Sequence, residues 1–350
     1  MDKSTVFILL DRPSYDNDKK WLVDHVCKTW EGMVVPVYSR YILSKVYRSG
    51  KLGMIRVMLE VLRQCLGLVY RSKKGDVVIC WSPLSSWIFY LLTFGGLMKR
   101  YMVCMNWLSP NSNMKVKWKN KMLAVNKRCR VVVNSPESIQ QWKNILRLND
   151  TDNFCHITDV YDERVPFKHI VHRTKDYIFT GGMNNRDWNV VMQLAANNPD
   201  LRFVCCALKS DFRDKVKIAP PQNVKIYFNT ESGHYYELLA GSYLVLLPLC
   251  TQRVSGLINI IRSAQEGIIC LTSDIPSTSQ YYSEKDKDLL IPFEMNIWQE
   301  RLNEVLKLDD VAYIHKAQSF QEYIKTKFSP ETASKRIVEE IHKLIRDNER

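Results

Sequence analysis

At 350 residues the chain is long enough for two domains with separate cores, and 46% apolar with 25% charged residues excludes a disordered or collagenous chain. The net charge of +13 is uneven: residues 1–165 carry 26 Lys+Arg against 14 Asp+Glu, and residues 166–350 carry 24 against 23. Ten cysteines without a CxxC or metal-ligand spacing argue against a zinc site, and with Met1-Asp2-Lys3 running straight into an apolar strand they point to a reducing cytoplasm without a leader peptide.

Thr5–Leu10 reads as the first strand, ending at Asp11 and Arg12, and Asp16–Glu31 as a helix with Asp16 or Asp18 as its cap. Met33–Val37 is a strand, and Ile42–Tyr70 holds two helical segments broken near Gly50–Gly53. Val77–Trp81, Trp87–Leu92 and Tyr101–Trp107 continue as strand, helix and strand. A basic helix follows at Lys115–Val125, then a strand at Arg130–Asn134, a helix at Pro136–Ile145 and a short strand at Cys155–Ile157. Trp81–Met98 is aromatic and apolar but interrupted by Pro83, serines and a glycine pair, so it reads as a buried domain helix rather than a span, with membrane-surface contact left open.

Pro166–Lys175 reads as a linker. Strands at Asp176–Thr180, Arg202–Ala207 and Val224–Tyr227 then alternate with helices at Arg186–Asn197 and His234–Ala240. Tyr243–Tyr282 follows as one strand–loop–helix–strand unit, Leu289–Ile291 as a short strand, and three helices close the chain from Asn296 to Asp347. This alternation predicts an α/β protein of two Rossmann-like domains, doubly wound and facing across a cleft. The expected boundaries are 1–165 for a basic N-terminal domain, 166–327 for the second, and 328–350 for a last helix packing back on the first.

Ligands of such sheets sit beyond the carboxyl ends of the strands. In the second half two loops qualify. FTGGMNNRDW offers Gly181 and Gly182 for close backbone approach, and Arg186 where a helix begins; TQRVSGL offers Arg253, Ser255 and the amides of Gly256 and Leu257 at another helix start. Helix-start amides beside guanidinium groups suit a phosphate or diphosphate; a plain glycine turn with a solvated arginine is the other reading. Neither a complete G-x-G-x-x-G nor a Walker lysine loop is present.

FTGGMNNRDW, NVKIYFNTESGHYYELLAGSYLVLLPL and VSGLINIIRSAQEGIICLTSDIPSTSQYY, in this order and spacing, resemble the donor domain of GT-B glycosyltransferases of the family 4 kind, and HITDVYDERVPF resembles their domain crossover. The resemblance covers about Cys155–Tyr282. It implies a sugar transferred from a nucleotide sugar bound by the second domain to an acceptor held by the first. Gly181, Gly182, Arg186, Arg253, Ser255, Gly256 and Leu257 are then diphosphate-side candidates, and Phe228-Asn229 lies where the base docks. Such enzymes often carry two glutamates eight positions apart around this Ser-Gly helix; here those positions fall near Arg253 and on Arg262. Glu266 stands one turn beyond Arg262, in pairing distance.

On the acceptor side Asp11, Ser82 and Asn106–Ser109 occupy strand ends. Asp11 is either a base for the acceptor hydroxyl or a turn aspartate, and the histidines form no relay. No metal or cofactor is expected. Residues Lys99–Arg147, with 11 basic residues and only Glu137 acidic, suit an anionic membrane surface. The expected partners are thus a nucleotide sugar, a glycan or lipid-linked glycan acceptor and the inner face of a membrane. Two other readings stand beside this one: a degenerate relative that binds without turnover, motivated by Arg262, and a basic nucleic-acid-binding protein, for which no recognised module is present.

Overall fold

The computed structural model describes residues 4–47, 50–105, 107, 114–171, 174–182, 185–251 and 254–349, without the side chains of positions 18, 45, 96 and 114–117. The chain divides into two compact units, Met1–Thr158 with Pro330–Arg350, and Asp159–Ser329.

In the first unit β1 (Val6–Leu9), α1 (Lys20–Thr29), β2 (Val34–Val37), α2 (Leu43–Tyr47), α3 (Lys51–Arg71), β3 (Val77–Cys80) and α4 (Pro83–Leu92) follow one another. β4 (Tyr101–Cys104), α5 (Met114–Ala124), β5 (Cys129–Val133), α6 (Pro136–Leu146) and β6 (Phe154–His156) complete the alternation. The strands pair in parallel in the order β2-β1-β3-β4-β5-β6. β1, β3, β4 and β5 are buried along their whole length, whereas the edge strand β2 is only half-buried. Strands covered on both faces favour apolar side chains throughout, which is why β1 and β3 read as unbroken apolar runs and why Arg130, the one charge in β5, is buried in ion pairs.

Two local expectations change. At α1 Lys19 holds the cap position without a side-chain bond, and Asp16 accepts from Arg12 Nη1 at 3.0 Å; the side chain of Asp18 lies outside the described residues. α4 begins at Pro83 rather than Trp87, because Ser82 and Ser85 form a reciprocal capping box that the proline extends.

The second unit repeats the alternation with β7 (Ile178–Gly182), α7 (Trp188–Asn197), β8 (Phe203–Ala207), α8 (Lys209–Lys215), β9 (Val224–Phe228) and α9 (Ser232–Ala240). Next come β10 (Leu244–Leu247), α10 (Leu257–Glu266), β11 (Ile269–Ser273), α11 (Pro276–Ser279), β12 (Leu290–Ile291), α12 (Met295–Lys307) and α13 (Asp310–Lys327). All pairings are parallel and the order is β12-β11-β10-β7-β8-β9. Counted within the unit, this is the 3-2-1-4-5-6 winding of dinucleotide-binding domains, whose order reverses between β7 and β10.

The linker segment is a strap over the carboxyl end of α10. Gln265 Nε2 donates to the carbonyls of Asp162 and Val165 at 2.8 and 2.7 Å, and Lys168 N–H donates to Gln265 O at 2.8 Å. Gly267 ends α10 at φ 68°, where a Cβ would stand 2.7 Å from Ile170 Cγ1.

α14 (Pro330–Glu349) returns to the first unit and packs on α1 and β5. It buries Ala333, Ile337, Val338, Ile341 and Leu344, of which each large side chain contributes about 1.5–3 kcal/mol. Its outer edge is fixed by Arg130, 3% exposed, which donates to Glu340 at 3.2 Å and Asp347 at 2.7 Å, and by His342 stacked 4.9 Å from Trp30.

Candidate functional site

The reversal point between β7 and β10 opens a crevice at the carboxyl edge of the second sheet, and the two glycine-bearing loops singled out in the sequence flank it. They are knitted into one layer. Asp187 N–H donates to Pro248 O at 2.9 Å, Cys250 N–H to Asn185 O at 3.2 Å, and Arg186 forms an antiparallel bridge with Leu249. Asn185 and Thr251 add a side-chain bond of 2.8 Å.

Arg186 lies inside this layer rather than at the surface of a helix start. α7 begins two residues later, capped by Asp187, and Arg186 is 2% exposed. Its Nε donates to Gly181 O at 2.8 Å and its Nη1 to Ser255 Oγ at 3.1 Å. Burial pulls the guanidinium down from its ordinary value while Tyr235 opposes the shift; the group keeps its charge at neutral pH. The result is a fixed positive charge directly beneath the two loops.

The glycines have a different use from the one the sequence suggests. A Cβ on Gly182, at φ 149°, would stand 2.5 Å from Arg186 Nη2, and one on Gly256, at φ 80°, would stand 3.2 Å from the same atom. A Cβ on Gly181 would meet Tyr235 Oη at 2.6 Å. The space beside these backbones is therefore filled by the protein's own arginine and tyrosine, not left open for a ligand. Gly256 heads α10, so the amides of Leu257 and Ile258 begin that helix with no partner inside it, while the Leu257 side chain is buried in the core.

Sequence reasoning missed two members of this cluster. Asn259, one turn into α10, donates to Gly181 O at 2.9 Å and to Tyr235 Oη at 2.7 Å. Tyr235 stands edge-on to Phe179 at 5.3 Å, and burial pushes its phenol well up. The available signal was Asn259 itself, an amide set between Leu257 and Ile260 in the first turn of a helix.

Arg262 is one turn from Glu266 and pairs with it at 3.0 Å, the contact expected from their spacing, and its guanidinium lies 5.1 Å over the Tyr236 ring. Glu266 is 1% exposed and also pairs with Lys168 of the strap. Phe228, 40% exposed, ends the edge strand β9 and leans on Phe212 at 5.6 Å. Asn229 closes the next turn at φ 54°, its Oδ1 accepting from Lys209 N–H at 3.3 Å. This pair stands two strand spacings, about 10 Å, from β7. A cavity of about 160 Å³ adjoins the loops, lined by residues including Asp187, Pro248, Leu249, Ser273 and Glu294. Arg253 lies outside the described residues, as do Asn106, Leu108 and Ser109 on the acceptor side.

In the first unit the strand order reverses between β1 and β3, which brings together Asp11 and Ser82 as the first residues of interest past those strands. Asp11 is 21% exposed, with Oδ1 3.8 Å from Arg12 Nε, and its carbonyl accepts from Leu43 N–H at 3.0 Å. Ser82 is occupied in capping α4. Among the described residues no group of three His, Cys, Asp or Glu is arranged to hold a metal ion, and no helix is long and apolar enough to cross a membrane.

No protein-family profile matches the sequence, and no curated protein matches it significantly. Solved structures do match in fold. The Anabaena protein HepE in complex with UDP and glucose aligns over 97% of this chain and 100% of its own, with a TM-score of 0.65 at 13% identity. A glycosyltransferase from Rickettsia africae aligns over 99% of both chains, with a TM-score of 0.63 at 12% identity. A trehalose-6-phosphate protein from E. coli bound with UDP-2-fluoro glucose covers 97% of this chain and 99% of its own, at a TM-score of 0.66 and 6% identity. The fold is that of GT-B glycosyltransferase structures; at these identities the likeness speaks for fold.

Proposed function

We propose that the chain is a glycosyltransferase that takes a sugar from a nucleotide-sugar donor, with a uridine diphosphate sugar as the first candidate. The observation that carries this reading is the crevice at the β7/β10 reversal, where the α10 start, Ser255 and the buried Arg186 charge lie together. The solved neighbours with UDP or UDP-glucose bound support the donor class.

In this proposal the second unit holds the donor. Its diphosphate lies against the amides of Gly256 and Leu257, with Arg186 beneath it, and its base extends toward Phe228-Asn229. The C–O bond between the sugar's anomeric carbon and the diphosphate breaks, and the acceptor oxygen bonds to that carbon. The nucleoside diphosphate departs with the electron pair, stabilised by helix-start donors rather than by a metal. The acceptor's proton passes to a base, for which Asp11 is the candidate in the first unit. The acceptor is a glycan, lipid-linked and presented at the inner face of a membrane.

The reading is tested by calorimetric titration with UDP and by incubation with a panel of nucleotide sugars. UDP binding that weakens at least about tenfold in Ser255→Ala combined with Gly256→Val, together with release of UDP from one sugar nucleotide, supports it. No nucleotide binding at all overturns it. Arg262 favours a second reading: where relatives often carry an acid, this arginine is locked between Glu266 and Tyr236. Binding of a nucleotide sugar with no turnover on any acceptor would favour that degenerate binding protein.

A further inference from the structure

α3 is apolar on two faces. Val57, Val61, Cys65 and Leu68 point inward and are buried. Leu52, Ile55, Leu59, Leu62, Leu66 and Tyr70, spaced three or four apart, share the outward side, and all are exposed, from 37% at Leu62 to 92% at Tyr70. A surface helix ordinarily turns a polar face to water, and a long exposed apolar stripe marks an interaction surface. Beyond its last turn Arg100 donates to Ser72 Oγ at 2.7 Å and to Val69 O at 3.0 Å, and the turn after α4 carries two further exposed apolar side chains, Phe94 and Leu97.

The fringe of this stripe is cationic. Lys51, Arg56, Arg63 and Arg71 lie on α3 and Lys73 and Lys74 just beyond, against the single acid Glu60, which is buried and engaged by Arg63 and the Arg40 amide. A second copy docked stripe to stripe about a two-fold axis would set these cations against one another. An anionic lipid surface instead accepts both features, taking apolar side chains into the headgroup boundary and pairing cations with phosphates.

We propose that α3 lies in the plane of an anionic phospholipid membrane, with the Leu52–Tyr70 stripe sunk into its headgroup boundary. This rests on the membrane-surface part of the proposed function, moves the docking element from Lys99–Arg147 to α3, and does not depend on nucleotide binding.

The test is flotation of the full chain with vesicles of phosphatidylcholine alone and of phosphatidylcholine with about a third phosphatidylglycerol. The wild type is expected to float with the anionic vesicles only. Leu59→Gln, Leu62→Gln and Leu66→Gln together lower that partition at least about tenfold, with circular dichroism, UDP binding and a monomeric mass unchanged. Should the triple variant misfold, Leu59→Gln and Leu66→Gln carry the comparison singly, at about threefold each. A wild type that does not float, or a triple variant that floats equally well, overturns the proposal. So does a wild-type dimer that the triple variant splits without any vesicle binding, since the stripe would then join two copies. A chain that floats without binding UDP overturns the nucleotide reading alone; one that binds UDP without floating overturns the docking alone.

Discussion

Arg186 Nη1 and Ser255 Oγ lie 3.1 Å apart, and this hydrogen bond joins loops 69 residues apart in the chain at the point where the second sheet reverses its order. The arginine is both a tie and a charge. Arg186→Met keeps much of the volume but leaves Gly181 O and Ser255 Oγ without this donor. We expect a loss of about 2–4 kcal/mol in urea unfolding and at least a tenfold loss of UDP affinity by calorimetry. Lost stability with unchanged affinity would reduce Arg186 to a tie.

Gly182→Ala puts a methyl group at φ 149°, 2.5 Å from the Arg186 guanidinium. Both the backbone and the arginine must shift, so a cost of about 2 kcal/mol is expected, read as a lower denaturant midpoint with an unchanged slope. A stability equal to wild type would contradict the close packing described.

Glu266→Gln leaves Arg262 and Lys168 without the buried carboxylate that both address. Lys168 is half exposed and recovers water, so the expected loss is about 2 kcal/mol rather than the larger cost of a fully buried pair. Arg262→Glu places two carboxylates one turn apart and is expected to destabilise without improving UDP affinity. A gain in affinity would restore the ribose-acid role to this position.

Glu60 gives the first unit a pH dependence. Burial pushes its carboxyl up, but hydrogen bonds from Arg63 and the Arg40 amide outweigh that and hold it below its ordinary value. A carboxyl depressed in the folded state stabilises above its unfolded pKa, and the contribution disappears as pH falls through the folded pKa. The lead of wild type over Glu60→Gln in unfolding midpoint at neutral pH should therefore shrink as the pH falls below the ordinary carboxylate range. Parallel curves would refute the assignment.

Arg130→Met removes the link from β5 to Glu340 and Asp347 of α14. Both acids are partly exposed, so about 1–2 kcal/mol is expected, with faster amide exchange confined to α14. Exchange that rises across the whole unit instead would show that α14 does not open independently.

The strands themselves were readable because parallel strands covered on both faces carry apolar runs, as in Leu244–Leu247 and residues 268–271; their order in the sheet was not. α8 was not, since KSDFRDK buries only Phe212 and carries no helical period. The two loops of the crevice were visible as glycines between strand and helix. What fills the space beside them was not, because Tyr235 and Asn259 reach Gly181 from α9 and α10, 54 and 78 residues further along the chain. The inward turn of Arg186 is likewise tertiary: locally an arginine after two asparagines reads as solvated. α3 shows the converse limit, since a period of three and four marks an apolar face without saying which of two such faces meets the core.

α14 has one more consequence. It completes the first unit although it is synthesised after every other element described, so the β1–β6 sheet waits through translation of the whole second unit before its α1 and β5 surfaces are covered. The unit made first is finished last. During that interval Trp30 and Arg130 lack their partner helix, and a ribosome stalled before Pro330 would hold an open first unit joined to a second unit whose strands and helices are all present.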